Sequence, residues 1–455
     1  MVKRTEVKTH NPFNGQELGS YMYMSDQQLS DCLSHANDAF QIWKVKPVSE
    51  RTAVLLNAAS ILTDNKSRFS RLITEEMGKP IAEAEAEVLK CATVCRYYAE
   101  HAEDFLRSTE IISDAQRSSV RFDALGTILA VMPWNFPFWQ VFRFLAPALA
   151  AGNTAVLKHA SNVLGCGEAI RNLMLEAGCP PGVFQHLIID YQQVETVLQS
   201  SYIKAATLTG SEKAGAAVAS LAGKYLKKTV LELGGSNAFI VLDDANLDEA
   251  VSLGVRARML NGGQSCIAAK RFIITAPLYD AFIERFEDAV RKLAVGNPLD
   301  SSTQIGPLAR KDLADSLHQQ VQDAIDKGAR LLCGGRQNDC FYQPSVLADV
   351  VPGMRVFDEE TFGPVAAIVK ASNVDEAIRL SELSNYGLGV TICTSDIERA
   401  DILAESFSDG AVFINELVKS DPRLPFGGTK LSGYGRELSR DGIMEFVNRK
   451  VVYVA

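Results

Sequence analysis

The chain has 455 residues, 47% hydrophobic and 22% charged, and its 46 basic against 55 acidic residues give a formal charge of −9. That apolar share supplies a large core over about three domain-sized units and excludes disorder as the overall state. A net-acidic chain without clustered Lys and Arg is no nucleic-acid binder, and with no apolar run of ~18 residues it has no membrane span.

The opening MVKRTEVKTHNPFNG places no apolar segment behind its basic residues, so no secretory signal is read there. Residues 25–110 read as helices. The clearest is 81–105, where Ile81, Ala84, Val88, Ala92, Cys95, Ala99, Ala102 and Phe105 recur at spacings of three and four, the apolar stripe of a helix covering a sheet. From 126 the pattern changes to short apolar runs separated by helical stretches: GTILAVMP (126–133), TAVLKH (154–159), a helix near 162–177, GVFQHLII (182–189), KAATLTG (204–210), a helix near 212–226, and TVLELGG (229–235). Continuous apolar strands alternating with helices predict a parallel sheet covered on both faces. A second α/β pattern starts with NAFIVLDD (237–244), a helix near 247–261, the loop NGGQSC and the strand KRFIIT (270–275), and runs to AVFIN (411–415). The closing RKVVYVA reads as a β-rich tail, of the kind that often completes a sheet with a partner subunit.

Nine cysteines scattered over so long a chain suit reduced thiols in a cytoplasmic protein rather than a disulfide framework. Cys91 and Cys95 lie one helical turn apart, but no second Cys or His pair completes a zinc set, and no metal site is expected. Cys266 differs from the rest. It ends the Gly-rich run Asn261-Gly-Gly-Gln-Ser-Cys266, where the backbone can approach a ligand closely and a thiol can be reached. The dinucleotide fingerprint G-x-G-x-x-G and the phosphate loop GxxxxGK[ST] are both absent. LTGSEKAG nevertheless carries a Gly-Ser turn, Gly210-Ser211, from a strand into a helix, and free N–H groups there favour a phosphate. Ser211 as a plain helix cap would read the same way.

MPWNFPFWQ, VLKHAS, TLTGSEKAG, LELGGSNAFIV, GGQSCIAAKRF, EETFGPV and PFGGTKLSGYGRE occur in an order and spacing that resemble the NAD(P)-dependent aldehyde dehydrogenase superfamily over essentially the whole chain. Within it, WNFPFWQVFR, KHASN and VKSDPRLPFGGTK are most similar to the succinate-semialdehyde dehydrogenases of a short bacterial and cyanobacterial type. The resemblance implies an α/β fold of two doubly wound parallel-sheet domains plus a small β oligomerisation domain. Residues 1–111 and 126–232 would form the cofactor-binding domain, 233–423 the catalytic domain, and 112–125 with 424–455 the segments that join a homodimer or homotetramer.

The same resemblance assigns roles. Cys266 is the expected nucleophile, passing through a thiohemiacetal and a thioester. Asn135 and the Cys266 N–H are the expected oxyanion donors, and Glu232 the general base toward water. Glu360 would hold the nicotinamide ribose with Phe362 nearby, Lys158 the adenosine ribose, and Gly210 and Ser211 the phosphate turn, with Trp134, Ala160 and Leu233 lining the pocket. Many NAD-preferring relatives carry Glu three residues after the Lys. Here that position is Ser161, which removes repulsion toward a 2′-phosphate and can donate to it, with His159 as a further donor, so NADP is favoured and NAD remains possible. Ser161 could equally cap the helix that follows.

For a carboxylated aldehyde the cleft needs a cation. Arg143, eight residues or about two helical turns after Asn135, is the first candidate. Arg258, eight residues before Cys266, is the second, and Lys419 and Arg423 flank another approach. The expected reaction is oxidation of succinate semialdehyde to succinate with NADP. Two alternatives stay open: another small aliphatic or carboxylated aldehyde, and a Cys/Glu thioester or ester hydrolase without redox.

Overall fold

The computed structural model describes residues 6–455. Two sheets organise them. The first has six strands in the order Gly433–Tyr434, Lys228–Glu232, Ile203–Thr209, Thr127–Met132, Thr154–His159, Phe184–His186. All neighbours are parallel except Gly433–Tyr434, which runs antiparallel to Lys228–Glu232. Chain order therefore reverses beside the central strand Thr127–Met132. A crevice opens at such a switch point, beyond the carboxyl ends of the strands.

The second sheet has seven strands: Arg330–Cys333, Ser345–Ala348, Val365–Ala371, Ala269–Thr275, Asn237–Val241, Val390–Cys393, Val412–Ile414. Only the edge pair Arg330–Cys333 and Ser345–Ala348 is antiparallel. In both sheets successive residues feed opposite cores, which is why the runs are apolar without alternation. Ile128, Ala130 and Met132 pack with the amino-terminal helices, while Leu129 packs on the far face with Val156 and Leu208. Phe239 and Phe272 face one side of the second sheet, Ile240 and Ile273 the other.

The helix Ile81–Phe105 forms over the residues its periodicity marks, and packs against Val48–Asp64 and Trp139–Ala150. Every residue of Trp139–Ala150 is buried, so any charge it carries must find a partner inside the protein.

Three expectations shift. The strand read over 182–189 pairs only at Phe184–His186, because the chain then leaves the sheet and the Ile188 carbonyl accepts from Met24 N–H at 2.8 Å. The helix after Ser161 spans Leu164–Glu176 and is preceded by Val163 with no side-chain cap, so Ser161 does not cap it and lies exposed. The tail Val447–Val454 pairs within its own chain, antiparallel along the full length of Arg117–Ala124, with Thr109–Ile111 beyond.

Candidate functional site

The first sheet delivers its loops to the crevice. Met132 leads to Trp134-Asn135, His159 to Ala160-Ser161, Thr209 to Gly210-Ser211, and Glu232 to Leu233. Asn135 is buried, and its Nδ2 donates to the Gln264 carbonyl at 3.1 Å, leaving the second amide hydrogen uncommitted.

The Cys266 loop comes from the second sheet and is held from several sides. Asn261, Gly262 and Gly263 adopt left-handed backbone (φ 57°, 57° and 73°), which the two glycines supply without steric cost. Asn261 Nδ2 donates to the Asn135 carbonyl at 2.8 Å, and its N–H donates to Glu83 at 2.8 Å. Gln264 Oε1 accepts from Ala309 N–H at 2.9 Å. Gly235 of LELGG lets the loop close, since a Cβ there would lie 2.5 Å from the Cys266 carbonyl oxygen. The loop thus presents a half-buried thiol whose backbone N–H has no hydrogen-bond partner among the described residues. Burial pushes the thiol up to about 11, against the pull of Lys270 and Arg143.

Cys266 lines a cavity of about 320 Å³ with Phe136, Trp139, Gln140, Ile267 and Phe426 as apolar and amide walls. Both oxygens of Glu232 are buried and accept no hydrogen bond. Its carboxyl is held well above the usual carboxylate range by burial, with Arg143 opposing and Glu437 reinforcing the shift. A Cβ on Gly427 would stand 2.8 Å from Glu232 Oε1, so that glycine keeps space beside the carboxyl.

Arg143 reaches the cavity, with a partner that the sequence did not show. Its guanidinium forms an ion pair with Glu437, donates to Thr209 Oγ1 at 3.3 Å and lies 4.8 Å from the Phe426 ring centre. It lines the cavity, but its charge is already met by the buried Glu437. Arg258 departs further. It is fully buried and donates to the carbonyls of Ala269 (2.9 Å), Gly263 (3.1 Å), Thr361 (3.2 Å) and Gly363, tying the Cys266 loop to the 361–363 turn. None of its role faces the cavity. Lys419 and Arg423 carry their own carboxylates, Glu416 and Asp421.

His159 is also corrected. Its ring contacts the carbonyls of Met132 (3.2 Å) and Pro137 (2.9 Å), and burial lowers it to about 3. It is a neutral brace for the WNFP turn and cannot reach out to a phosphate. Beside it, Lys158 is left without a hydrogen-bond or ion-pair partner among the described residues, as is the exposed Ser161. Across the crevice, Ser211 caps Glu212–Lys224 by accepting from Ala214 N–H at 3.3 Å, while Gly210 N–H donates to the Glu232 carbonyl at 3.0 Å. Glu360 Oε1 accepts from Gly235 N–H at 3.0 Å and pairs with Lys270 at 3.1 Å. Phe362 and Trp134 meet edge to face at 5.7 Å. Leu233 is buried against Gly215, and Ala160 is half-buried at the strand end.

Three participants were not singled out from sequence. Lys270, inside a buried strand, donates to the carbonyls of Ser265 (2.6 Å) and Cys266 (2.7 Å) as well as meeting Glu360. The signal was present: a lysine in an apolar strand demands a partner. Glu437 sat unremarked in GYGRE. Lys90, two residues from either neighbour on the stripe of its helix, reaches Ser420 Oγ at 2.7 Å inside the cavity.

A family model described as the aldehyde dehydrogenase family matches residues 1–452. A protein of a Synechocystis species named probable succinate-semialdehyde dehydrogenase [NADP(+)] is 48% identical over 452 residues, covering 99% of this chain and 100% of that protein. A Mycolicibacterium paratuberculosis succinate-semialdehyde dehydrogenase [NADP(+)] is 43% identical, covering 98% of this chain and 96% of the relative. The crystal structure of succinic semialdehyde dehydrogenase from Streptococcus pyogenes, in complex with NADP+, superposes with TM-score 0.96 at 39% identity, covering 98% of this chain and 99% of that one. With a full-length match and the Cys266 loop closed onto the switch point of a doubly wound sheet, the chain belongs to the aldehyde dehydrogenase family.

Proposed function

We propose that the protein oxidises succinate semialdehyde to succinate with NADP as the hydride acceptor. The observation that carries this reading is the meeting of three groups: a half-buried thiol, unengaged N–H donors at Asn135 and Cys266, and, within electrostatic reach of the thiol, a buried carboxyl at Glu232 that accepts no hydrogen bond. The thiol adds to the aldehyde carbon and the two donors receive the oxygen as it becomes negative. NADP, when bound, accepts the hydride. A buried carboxylate without hydrogen bonds is a strong base, so Glu232 takes the proton of the water which attacks the thioester, while the thiol gives up its own proton to solvent before the hydride step.

The cofactor residues fit. Lys158 and Ser161 stand uncommitted at the end of Thr154–His159, one cation and one hydroxyl for a 2′-phosphate. The amino end of Glu212–Lys224 offers the diphosphate its helix terminus, and Glu360 faces the crevice beside Gly234, where a Cβ would lie 2.8 Å from Oε2. The names of the relatives, with NADP in each, point the same way. The reaction is followed at 340 nm. Succinate semialdehyde with NADP should be oxidised with higher kcat/KM than butyraldehyde, and NADP should outperform NAD. Preference for butyraldehyde overturns the substrate.

Ser161→Glu would put a carboxylate beside Lys158, where these residues would hold a 2′-phosphate. Losing a hydrogen bond to a charged group costs about 1.5–3 kcal/mol, roughly tenfold to a hundredfold, and repulsion adds to it. The ratio of kcat/KM for NADP over NAD should fall by more than tenfold. An unchanged ratio would assign cofactor choice to another group.

Nine free thiols suit a cytoplasmic setting, and no helix among the described residues is long and apolar enough to cross a membrane. Ile112, Val451 and Tyr453 are exposed around the three-stranded sheet, at 103%, 69% and 53%. An apolar rim there favours a homodimer or homotetramer joined through that sheet.

A further inference from the structure

Three side chains converge on Gly234, in the LELGG run that leads from the first sheet to the second. A Cβ there would lie 2.8 Å from Glu360 Oε2, 3.0 Å from Tyr386 Cε1 and 3.4 Å from Glu212 Oε1. Tyr386 belongs to the second unit, between the helix Val374–Glu382 and the strand Val390–Cys393, and its hydroxyl donates to Glu212 of the first. Its backbone is held by Ser432, whose Oγ accepts from Gly387 N–H at 3.1 Å and donates to the Gly234 carbonyl at 2.6 Å. Burial and the bond to Glu212 keep the Tyr386 hydroxyl well above its usual range, so it remains a donor.

Glu212 is the first residue of the helix Glu212–Lys224. The N–H groups of Ser211, Glu212 and Lys213 have no hydrogen-bond partner among the described residues, and they are the donors a diphosphate would take. A carboxylate in the first turn stabilises the empty helix, but it competes with an anionic guest for the same terminus. Here its Oε1 is taken up by Tyr386 instead. The charge is felt on that side: burial raises the Glu360 carboxyl, Lys270 opposes, and Glu212 adds to the rise.

We propose that Tyr386 is a positioning residue for the dinucleotide: it holds the Glu212 carboxylate aside and so leaves the helix terminus open to the cofactor diphosphate. This rests on the dinucleotide reading above, and on the diphosphate alone, which NADP and NAD share. A plain structural tie between the two units would need both partners alike. A charge held aside gives the two partners opposite effects.

Cofactor binding to the full-length protein, read by quenching of tryptophan fluorescence, tests this with NADP and NAD in parallel. Tyr386→Phe keeps the ring beside Gly234 but frees Glu212, and should raise Kd about tenfold for both cofactors. Glu212→Gln can still accept from Tyr386 but carries no charge, and should leave Kd unchanged or lower it. The double variant should return to within about threefold of wild type, because the charge that Tyr386 restrains is gone. The penalty in Tyr386→Phe, taken relative to wild type, should also shrink as salt rises from about 0.1 M to about 1 M, where the screening length falls from about 10 Å to about 3 Å. An unchanged Kd in Tyr386→Phe overturns the proposal. So does equal weakening by both single changes without recovery in the double, which leaves a structural tie. A wild type that binds neither cofactor overturns the dinucleotide reading, and this inference with it. A wild type that prefers NAD overturns the choice of NADP alone, and the NAD series then decides the role of Tyr386.

Discussion

Cys266→Ala should lower aldehyde oxidation by at least about 10⁴-fold, because loss of a nucleophile removes the whole covalent route rather than one contact. No other thiol lines the cavity. Without the sulfur there is no tetrahedral adduct for hydride to leave, and the Asn135 and Cys266 N–H donors have no developing negative oxygen to stabilise. The fold should survive. The loop is fixed by Asn261, Gln264 and Lys270 through backbone atoms, none of which depends on the thiol. NADP affinity, read by quenching of tryptophan fluorescence, should therefore stay within a few fold of wild type, since Lys158, Ser161 and the helix end at Ser211 are unaltered. Steady turnover by the variant would end the covalent mechanism. Loss of NADP binding together with activity would show instead that the loop had collapsed.

What the sequence disclosed, and what it did not, follows the range of the interactions. The strand at 154–159 and the helix 81–105 are written in local apolar spacing and form where that spacing places them, and the run 237–244 forms a strand over its first five residues. The place of WNFP, KHAS and LTGS at the ends of strands followed from alternating strands and helices alone, whereas the switch point needed the strand order. Partner choice did not. Arg143 looked free because Glu437 lies 294 residues downstream, in a segment that returns to the first sheet as an antiparallel edge. Arg258 looked near the chemistry because eight residues separate it from Cys266, yet a tight left-handed turn intervenes and its guanidinium binds four carbonyls. His159 looked like a donor, but a fully buried ring beside two carbonyls is a structural brace. Lys90 was hidden by the opposite effect: on the helix face away from the apolar stripe, a lysine reads as surface until a cavity is found there. The Cys266 loop resisted location for a further reason. Its shape depends on contacts with Glu83 and Asn135, on elements far away in sequence.

Glu232→Gln should separate the two halves of the reaction. Glutamine fills the same space beside Gly427 and Arg143 but cannot accept a proton, so the fold and the acylation geometry are kept while the base is lost. General-base catalysis contributes about 10²–10⁴-fold. The half-buried Cys266 can still surrender its proton to solvent before the hydride step. Water attacking the thioester has no such alternative, because it must be activated where it sits. Rapid mixing with NADP and succinate semialdehyde should therefore show a burst of reduced cofactor near one equivalent per site, followed by turnover slowed at least a hundredfold. The pH dependence fixes the sign. Burial and Glu437 hold the Glu232 carboxyl well above the usual range, and only the ionised form is a base. Wild-type turnover limited by thioester hydrolysis should then rise with pH as Glu232 loses its proton, a rise the glutamine variant should lack. A variant with no burst but an equally slow first turnover would place Glu232 at the thiol rather than the water. A variant unchanged in every phase would remove it from the mechanism, and Glu437, the other buried carboxyl on Arg143, would become the base to test.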